Sequence, residues 1–208
     1  VFERMQTRAP GLFVLVDPGR TDAAAAAVVA RAADEAGAVA LLIGSSFGGR
    51  EHTETVAGAM RGAATLPLLL FPGSAAQLTP TVDAVLFLSL VSGRNPQYLI
   101  EEHVRAVPFF HQHAIESIST AYILVDGGCI TAVESVSQTR PLPADKPEIA
   151  VAHAVAAQMI GMAAVYLDAG SGAVQAIAPP IVSAVRRAVA LPLIVGGGLR
   201  TPEVAGAA

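Results

Sequence analysis

The sequence predicts an α/β chain of parallel strands, organised as a TIM (β/α)8 barrel whose eighth β/α unit is missing from its 208 residues. Three observations predict it. Short, continuously apolar runs recur along the chain, each followed by a helical pattern. Apolarity on both strand faces marks a parallel sheet covered by helices. The late runs end in glycine-rich breaks, Gly170-Ser171-Gly172 and Gly196-Gly197-Gly198, where such barrels bind phosphate. The first run ends Val16-Asp17-Pro18-Gly19-Arg20, without the glycine fingerprint that an open doubly wound sheet carries there.

Seven runs are expected as strands: Leu12–Val16, Val39–Ile43, Pro67–Phe71, Ala84–Leu90, Tyr122–Val125, Ala163–Leu167 and Leu191–Val195. The helical patterns are Asp22–Ala36, Glu51–Ala64, Gln77–Val82, Pro96–Val107, Pro147–Gly161, Pro179–Ala190 and Pro202–Ala208. Thr21 or Asp22 offers an N-cap for the first helix. Pro147, Pro179 or Pro180, and Pro202 suit first turns, where a missing N–H costs nothing. Gly37 and Gly161 stand where helices end. The chain stops at Ala208, inside a seventh helical pattern, so missing residues are the favoured account of the absent eighth unit. A seven-strand remnant would expose a sheet edge.

Composition narrows the function classes. Hydrophobic residues make up 53% and charged residues 14%, which excludes a disordered chain unable to bury enough surface to fold. The length suits a single domain spanning residues 1–208. A net charge of −4 excludes a generally basic nucleic-acid binder, since phosphate neutralisation needs clustered Lys and Arg. With Cys129 as the one cysteine, no internal disulfide or cysteine metal cage can form, which points to a reducing cytoplasm. Residues 1–10 have no apolar core behind a basic start, so no signal peptide is expected there. The most apolar window, Ile149–Leu167, is split by Gly161 into a helical and a strand-like half, so it is not read as a membrane span.

In a (β/α)8 barrel, reactive side chains sit at the C-terminal ends of strands. Asp17 ends the first strand and admits two readings: a carboxylate for Mg2+, which prefers hard oxygen ligands, or simply part of an Asp-Pro-Gly turn. Ser45 and Ser46 end the second strand, with hydroxyls for a phosphate or a metal-bound water, or for a helix cap. Arg94, after the fourth strand, suits a diphosphate clamp or a solvated loop. The long connection Asp126–Lys146 reads as a lid or binding loop in which Asp126 and Glu134 are candidate carboxylates, or ordinary surface charges. At the end of the sixth strand, period-two alternation points Tyr166 and Asp168 the same way, away from the helices if Leu167 faces them. A carboxylate beside a phenol and glycine-rich loops suits a polyol phosphate, the acid taking hydroxyls and the loops the phosphate. His52, His103, His111, His113 and His153 are scattered, so no zinc site is expected. Cys129 has no histidine partner in the pattern, so no nucleophilic thiol is expected either.

These strand-end residues resemble the geranylgeranylglyceryl phosphate synthases and their bacterial relatives. The resemblance lies in Leu15–Arg20 (LVDPGR), Leu42–Ser46 (LIGSS), Leu86–Ile100 (LFLSLVSGRNPQYLI), Tyr122–Thr131 (YILVDGGCIT), Asp145–His153 (DKPEIAVAH), Tyr166–Ala173 (YLDAGSGA) and Pro192–Arg200 (PLIVGGGLR). They occur in order across nearly the whole chain, and the pattern looks closer to the archaeal-type branch than to the heptaprenyl branch. The resemblance implies a TIM barrel that uses Mg2+ to join a prenyl diphosphate, geranylgeranyl by the branch, to the C3 hydroxyl of sn-glycerol 1-phosphate. It puts Asp17 and Ser46 at metal positions, and Tyr166, Asp168, Gly170, Ser171 and Gly172, with Gly197 and Gly198, at glycerol-phosphate positions. With Leu167, Ala169 and Arg94 these form the expected substrate-binding set. Asp17, Tyr166 and Asp168 form the expected catalytic set. It further implies a homo-oligomer, a dimer or larger, and the lipid product suggests transient contact with a membrane surface.

Two departures stand out. Asp168 replaces the family's usual glutamate, and the eighth strand normally adds a glycine-rich phosphate contact. Two other readings compete with the prenyltransferase. One is a non-catalytic barrel that binds a phosphorylated ligand. The other is a phosphate-binding isomerase or lyase, for which Lys146 is the only candidate Schiff-base lysine.

Overall fold

The computed structural model describes residues 1–8 and 10–207; Ala208, in the last expected helix, lies outside them. The described elements run α1 (Phe2–Gln6), β1 (Phe13–Val16), α2 (Ala23–Glu35), β2 (Ala40–Ile43), α3 (Arg50–Ala63), β3 (Leu68–Leu70), β4 (Ala84–Leu90), α4 (Glu102–Gln112), β5 (Glu116–Leu124), α5 (Ala132–Ser137), α6 (Pro147–Ile160), β6 (Ala164–Asp168), α7 (Pro179–Ala188), β7 (Leu193–Gly196) and α8 (Pro202–Ala207). The strands follow one another in the sheet in chain order. This is the α/β class expected, with seven strands in the order of a (β/α)8 barrel, each but β3 followed by an α-helix. No helix among the described residues is long and apolar enough to cross a membrane.

By contact, the chain divides into two compact units, Val1–Phe87 with Glu102–Ile118, and Leu88–Glu101 with Ser119–Ala208. In the first, β1, β2 and β3 pair in parallel, with Leu41 between Val14 and Leu68, and Ile43 between Val16 and Leu70. Those alternate residues pack on Ala26, Ala30 and Ala33 of α2 and on Val56, Ala57 and Met60 of α3. Alanine on the packed face lets a helix lie close to the sheet. Asp22 caps α2 as expected, its carboxylate accepting from the Ala25 N–H at 2.8 Å.

In the second unit, β5, β6 and β7 are parallel, with Tyr166 between Tyr122 and Ile194, and Asp168 between Leu124 and Gly196. Ala121, Ile123, Val165, Leu167 and Val195 face Ala150, Ala154 and Ala157 of α6 and Ile181 and Val185 of α7. Tyr122, Tyr166 and Asp168 have the opposite parity and therefore point to the other face of the sheet. Gly161 ends α6 in the left-handed region at φ 92°, and Pro147 and Pro179 open their helices, all as the sequence predicts.

Five elements depart from expectation. Helix α1, Phe2–Gln6, lies before the first expected strand, where no helix is expected. The strand expected from Tyr122 begins at Glu116, because its polar first half Glu-Ser-Ile-Ser-Thr is paired chain, not an apolar run. The expected helix Gln77–Val82 is replaced by a single 3-10 turn at Ala75–Gln77. Pro80 disfavours a helical Thr79, and Thr79 and Thr81 both donate their hydroxyls to Glu54 instead. The helix expected to end at Val107 runs on through Pro108 to Gln112, after a π-helical turn at Gln97–Glu101. An interior proline costs about 3 kcal/mol. Packing offsets it: Phe110 stands edge-on to Phe87 with ring centroids 5.5 Å apart, and His103 lies 4.4 Å from the same ring. Finally, the long connection after β5 contains α5. Thr131 caps it by accepting from the Glu134 N–H at 3.5 Å, an S/T-x-x-E pattern.

Candidate functional site

The first unit brings together the ends of β1 and β2. Asp17 follows β1 and forms the turn of its second reading. Its Oδ1 accepts from the Gly19 N–H at 2.8 Å, making an Asx turn. Its Oδ2 lies 3.7 Å from Nε of the exposed Arg20, and the Asp17 side chain keeps 26% of its surface exposed. The turn approaches the loop after β2 so closely that a Cβ on Gly49 would stand 3.0 Å from the Gly19 nitrogen. In that loop, Ser45 is buried and its hydroxyl donates to the Phe47 carbonyl at 3.0 Å, whereas Ser46 is half-buried. Buried Gln77 braces the loop: its amide donates to the carbonyls of Ser45 and Gly48 at 2.9 and 3.0 Å, and its Oε1 accepts from the Gly73 N–H at 2.7 Å.

Among the described residues no group of three or more His, Cys, Asp or Glu could hold a metal. One carboxylate and one hydroxyl nonetheless fit Mg2+, which is bound by one or two carboxylates together with substrate phosphates and waters. They do not fit zinc, which takes three or four protein ligands.

The second unit gathers Tyr122, Tyr166, Asp168 and the late glycine loops. Asp168 is 6% exposed, and its Oδ2 accepts a hydrogen bond from the Tyr122 hydroxyl. Its Oδ1 accepts from the Gly170 N–H at 2.9 Å. Burial raises the Asp168 pKa, while the bonds from Tyr122 and Gly170 pull it back down. Burial first, and then the Asp168 charge, push both tyrosine phenols above their ordinary value, so they remain protonated donors. The tyrosine rings meet at 5.8 Å between centroids and 62° between planes.

Gly170, Gly172, Gly197 and Gly198 all have φ between 69° and 88°, the left-handed region that exposes successive backbone N–H groups as an anion-binding concavity. Arg200 secures the loop after β6 by donating to the carbonyls of Ala173 and Gly172 at 2.9 and 3.4 Å. Ser171 is exposed on this loop and Ala169 is buried. Leu167 packs against the helices, so it can serve the site only through its backbone. Arg94 is exposed and folds back on its own loop, donating to the carbonyls of Gly93 at 2.6 Å and Val91 at 3.5 Å.

The other candidates lie in ordinary surroundings. Asp126 is exposed and accepts from the Gly128 N–H at 2.8 Å, and Glu134 sits in the first turn of α5. Lys146 is exposed at the start of α6. Cys129 lies 3.6 Å from the Gly172 carbonyl oxygen.

Sequence reasoning missed three residues that shape these sites. Tyr122 carried a usable signal, since its parity in β5 matches that of Tyr166 in β6. Thr131 was visible as a capping box, and a Cβ on Gly170 would stand 2.7 Å from its side chain. Gln77 carried none, because two of its three partners, the carbonyls of Ser45 and Gly48, lie 32 and 29 residues away in sequence.

Comparison with known proteins shows the family. The chain is 40% identical over 192 residues to the geranylgeranylglyceryl phosphate synthase of Chitinophaga pinensis, covering 92% of this chain and 76% of that protein. It is 40% identical over 193 residues to the enzyme of the same name from Korarchaeum cryptofilum, covering 93% and 79%. The crystal structure of (S)-3-O-geranylgeranylglyceryl phosphate synthase from Thermoplasma acidophilum, in complex with its substrate sn-glycerol-1-phosphate, superposes with a TM-score of 0.93. That match has 32% identity and covers 100% of this chain and 85% of that one. The sequence profile of the PcrB family matches residues 5–208, and with these relatives it establishes that the chain belongs to the PcrB family.

Proposed function

We propose that this chain is a Mg2+-dependent prenyltransferase that joins geranylgeranyl diphosphate to the C3 hydroxyl of sn-glycerol 1-phosphate. One observation carries the reading: a buried carboxylate, Asp168, adjoins phenols and two loops of positive-φ glycines, in a family whose Thermoplasma member was crystallised with that glycerol phosphate. The backbone N–H groups of Ser171, Gly172, Gly197 and Gly198 cradle the phosphate, while that of Gly170 holds Asp168. Tyr166, protonated across the physiological range, donates to a glycerol oxygen. Asp168 accepts from the glycerol hydroxyls.

In the transfer, the bond between prenyl C1 and the diphosphate oxygen breaks, and its electron pair leaves with the diphosphate. The C3 oxygen forms the new ether bond to C1, and its proton passes to the Asp168 carboxylate. A carboxyl whose pKa is raised by burial is a better base for this than a solvated one. Asp17 and Ser46 would hold the Mg2+, and Arg94 would pair with the diphosphate once its fork turns from the Gly93 carbonyl. Bound Mg2+ supplies positive charge that stabilises the departing diphosphate.

The test is direct. Incubation with geranylgeranyl diphosphate, sn-glycerol 1-phosphate and Mg2+ should yield the prenyl ether by mass spectrometry, and omitting Mg2+ should abolish it. Absence of product with prenyl diphosphates of every length tried would refute the reading. Tight binding of the glycerol phosphate without turnover would instead support a non-catalytic barrel.

A further inference from the structure

Asp168 is held from two sides within the second unit. Its Oδ2 takes the Tyr122 hydroxyl and its Oδ1 takes the Gly170 N–H. An ionised carboxylate offers about four acceptor sites. One site on each oxygen is used, so one on each stays available to a polyol while the side chain cannot rotate. Tyr122 is itself fixed. It lies in β5 directly opposite Tyr166, two positions before Leu124, the residue paired with Asp168, and its ring stands against that of Tyr166.

We propose that Tyr122 is a positioning residue for prenyl transfer, its phenol O–H orienting the Asp168 carboxylate and setting how readily that carboxylate takes up the C3 proton. The proposal rests on the reading of Asp168 as the proton acceptor. Tyr122 on β5 and Tyr166 on β6 are the titratable groups that interact with Asp168 among the described residues, while β7 sets Gly196 beside it and Gly197 follows. The Tyr122 bond favours the ionised carboxylate, so losing it shifts Asp168 towards its protonated form, which cannot act as base.

Tyr122→Phe keeps the ring and removes only the donor. Its kcat is expected to fall about tenfold, a fraction of the usual contribution of a general base. The acidic limb of its kcat–pH profile should move to higher pH. Tyr98→Phe is the control, because that hydroxyl bonds the Val136 carbonyl instead; its limb should match the wild type.

A second measurement needs no turnover. The carboxyl titration of Asp168 is followed by 13C NMR without substrates and assigned with Asp168→Asn. It should move to higher pH in Tyr122→Phe. An unmoved limb with an unmoved titration overturns the proposal, and a lower kcat with an unmoved limb does so as well. A wild-type protein that makes no ether overturns the prenyl-transfer reading alone, since the substrate-free titration still reports on the contact.

Discussion

The Asp168 carboxylate and the Gly197 backbone lie so close that a Cβ on Gly197 would stand 2.6 Å from Oδ1. The same atom would lie 2.8 Å from the Gly170 nitrogen and 2.9 Å from that of Ala169. These neighbours are backbone and a pinned carboxylate, so none can yield cheaply. Gly197 also has φ 78°, where an L side chain costs roughly 1–2 kcal/mol. Gly197→Ala is therefore expected to weaken sn-glycerol 1-phosphate binding at least about tenfold by calorimetry. Gly172→Ala is the contrast: φ is 84°, but nothing lies within 4 Å of the added methyl. It should lose about 1 kcal/mol of stability and keep most of the affinity.

Asp168 also makes stability depend on pH. Its folded pKa lies above its unfolded value, so between the two the native protein binds more protons than the unfolded chain. Stability therefore falls as pH rises from the unfolded pKa through the folded one, and the cost persists above it. Asp168→Asn removes the charge and preserves the side-chain volume, and the Tyr122 hydroxyl can pair with either end of the amide. The variant should melt higher than the wild type at pH 8, with the difference shrinking towards pH 3, while prenyl transfer is lost. Thermal melts at several pH values check this; a variant that melts lower at pH 8 contradicts it.

Asp17 separates turn from chemistry. In Asp17→Asn the amide oxygen can still accept from the Gly19 N–H, so the turn and the melting temperature should be preserved. The lost negative charge should lower turnover by roughly 10²–10³-fold, the usual cost of removing one electrostatic stabiliser. The fall should be partly offset at high Mg2+ concentration. Unchanged kinetics across a Mg2+ titration would remove Asp17 from the metal site.

Gln77→Leu should be among the more damaging substitutions in the first unit. It strips partners from the Ser45 and Gly48 carbonyls and from the Gly73 N–H, and each buried polar group left unpaired costs about 1–3 kcal/mol. A loss of about 3 kcal/mol in urea unfolding is expected, with faster amide hydrogen exchange across residues 44–49. Mg2+-supported turnover should suffer more than sn-glycerol 1-phosphate binding, because the braced loop carries Ser46.

The strand–helix alternation was legible because it is written locally. Leu41, Ile43, Val165 and Leu167 lie in apolar runs, and Gly161 and Pro147 punctuate helices through their own backbone chemistry. The polar first half of β5 was not legible, since Glu116–Thr120 carries a single apolar residue, Ile118, and becomes strand by pairing. Thr120, for example, lies beside Ala164 of β6. The end of α4 was misplaced for a related reason: Pro108 breaks the local rule, and the contacts of Phe110 and His103 with Phe87 override it.

The sequence by itself determined the order of the β/α units, the placing of Tyr166 and Asp168 on one face of their strand, and the positions of the late glycine loops. Each follows from periodicity or from a single residue's backbone preference. Only the tertiary structure decided that Tyr122 holds Asp168 from the neighbouring strand, that Gly197 admits no side chain, and that Gln77 braces the loop bearing Ser46. Hydrogen-bond partners separated by tens of residues leave no local pattern, because the register that brings them together is set by packing of the whole sheet.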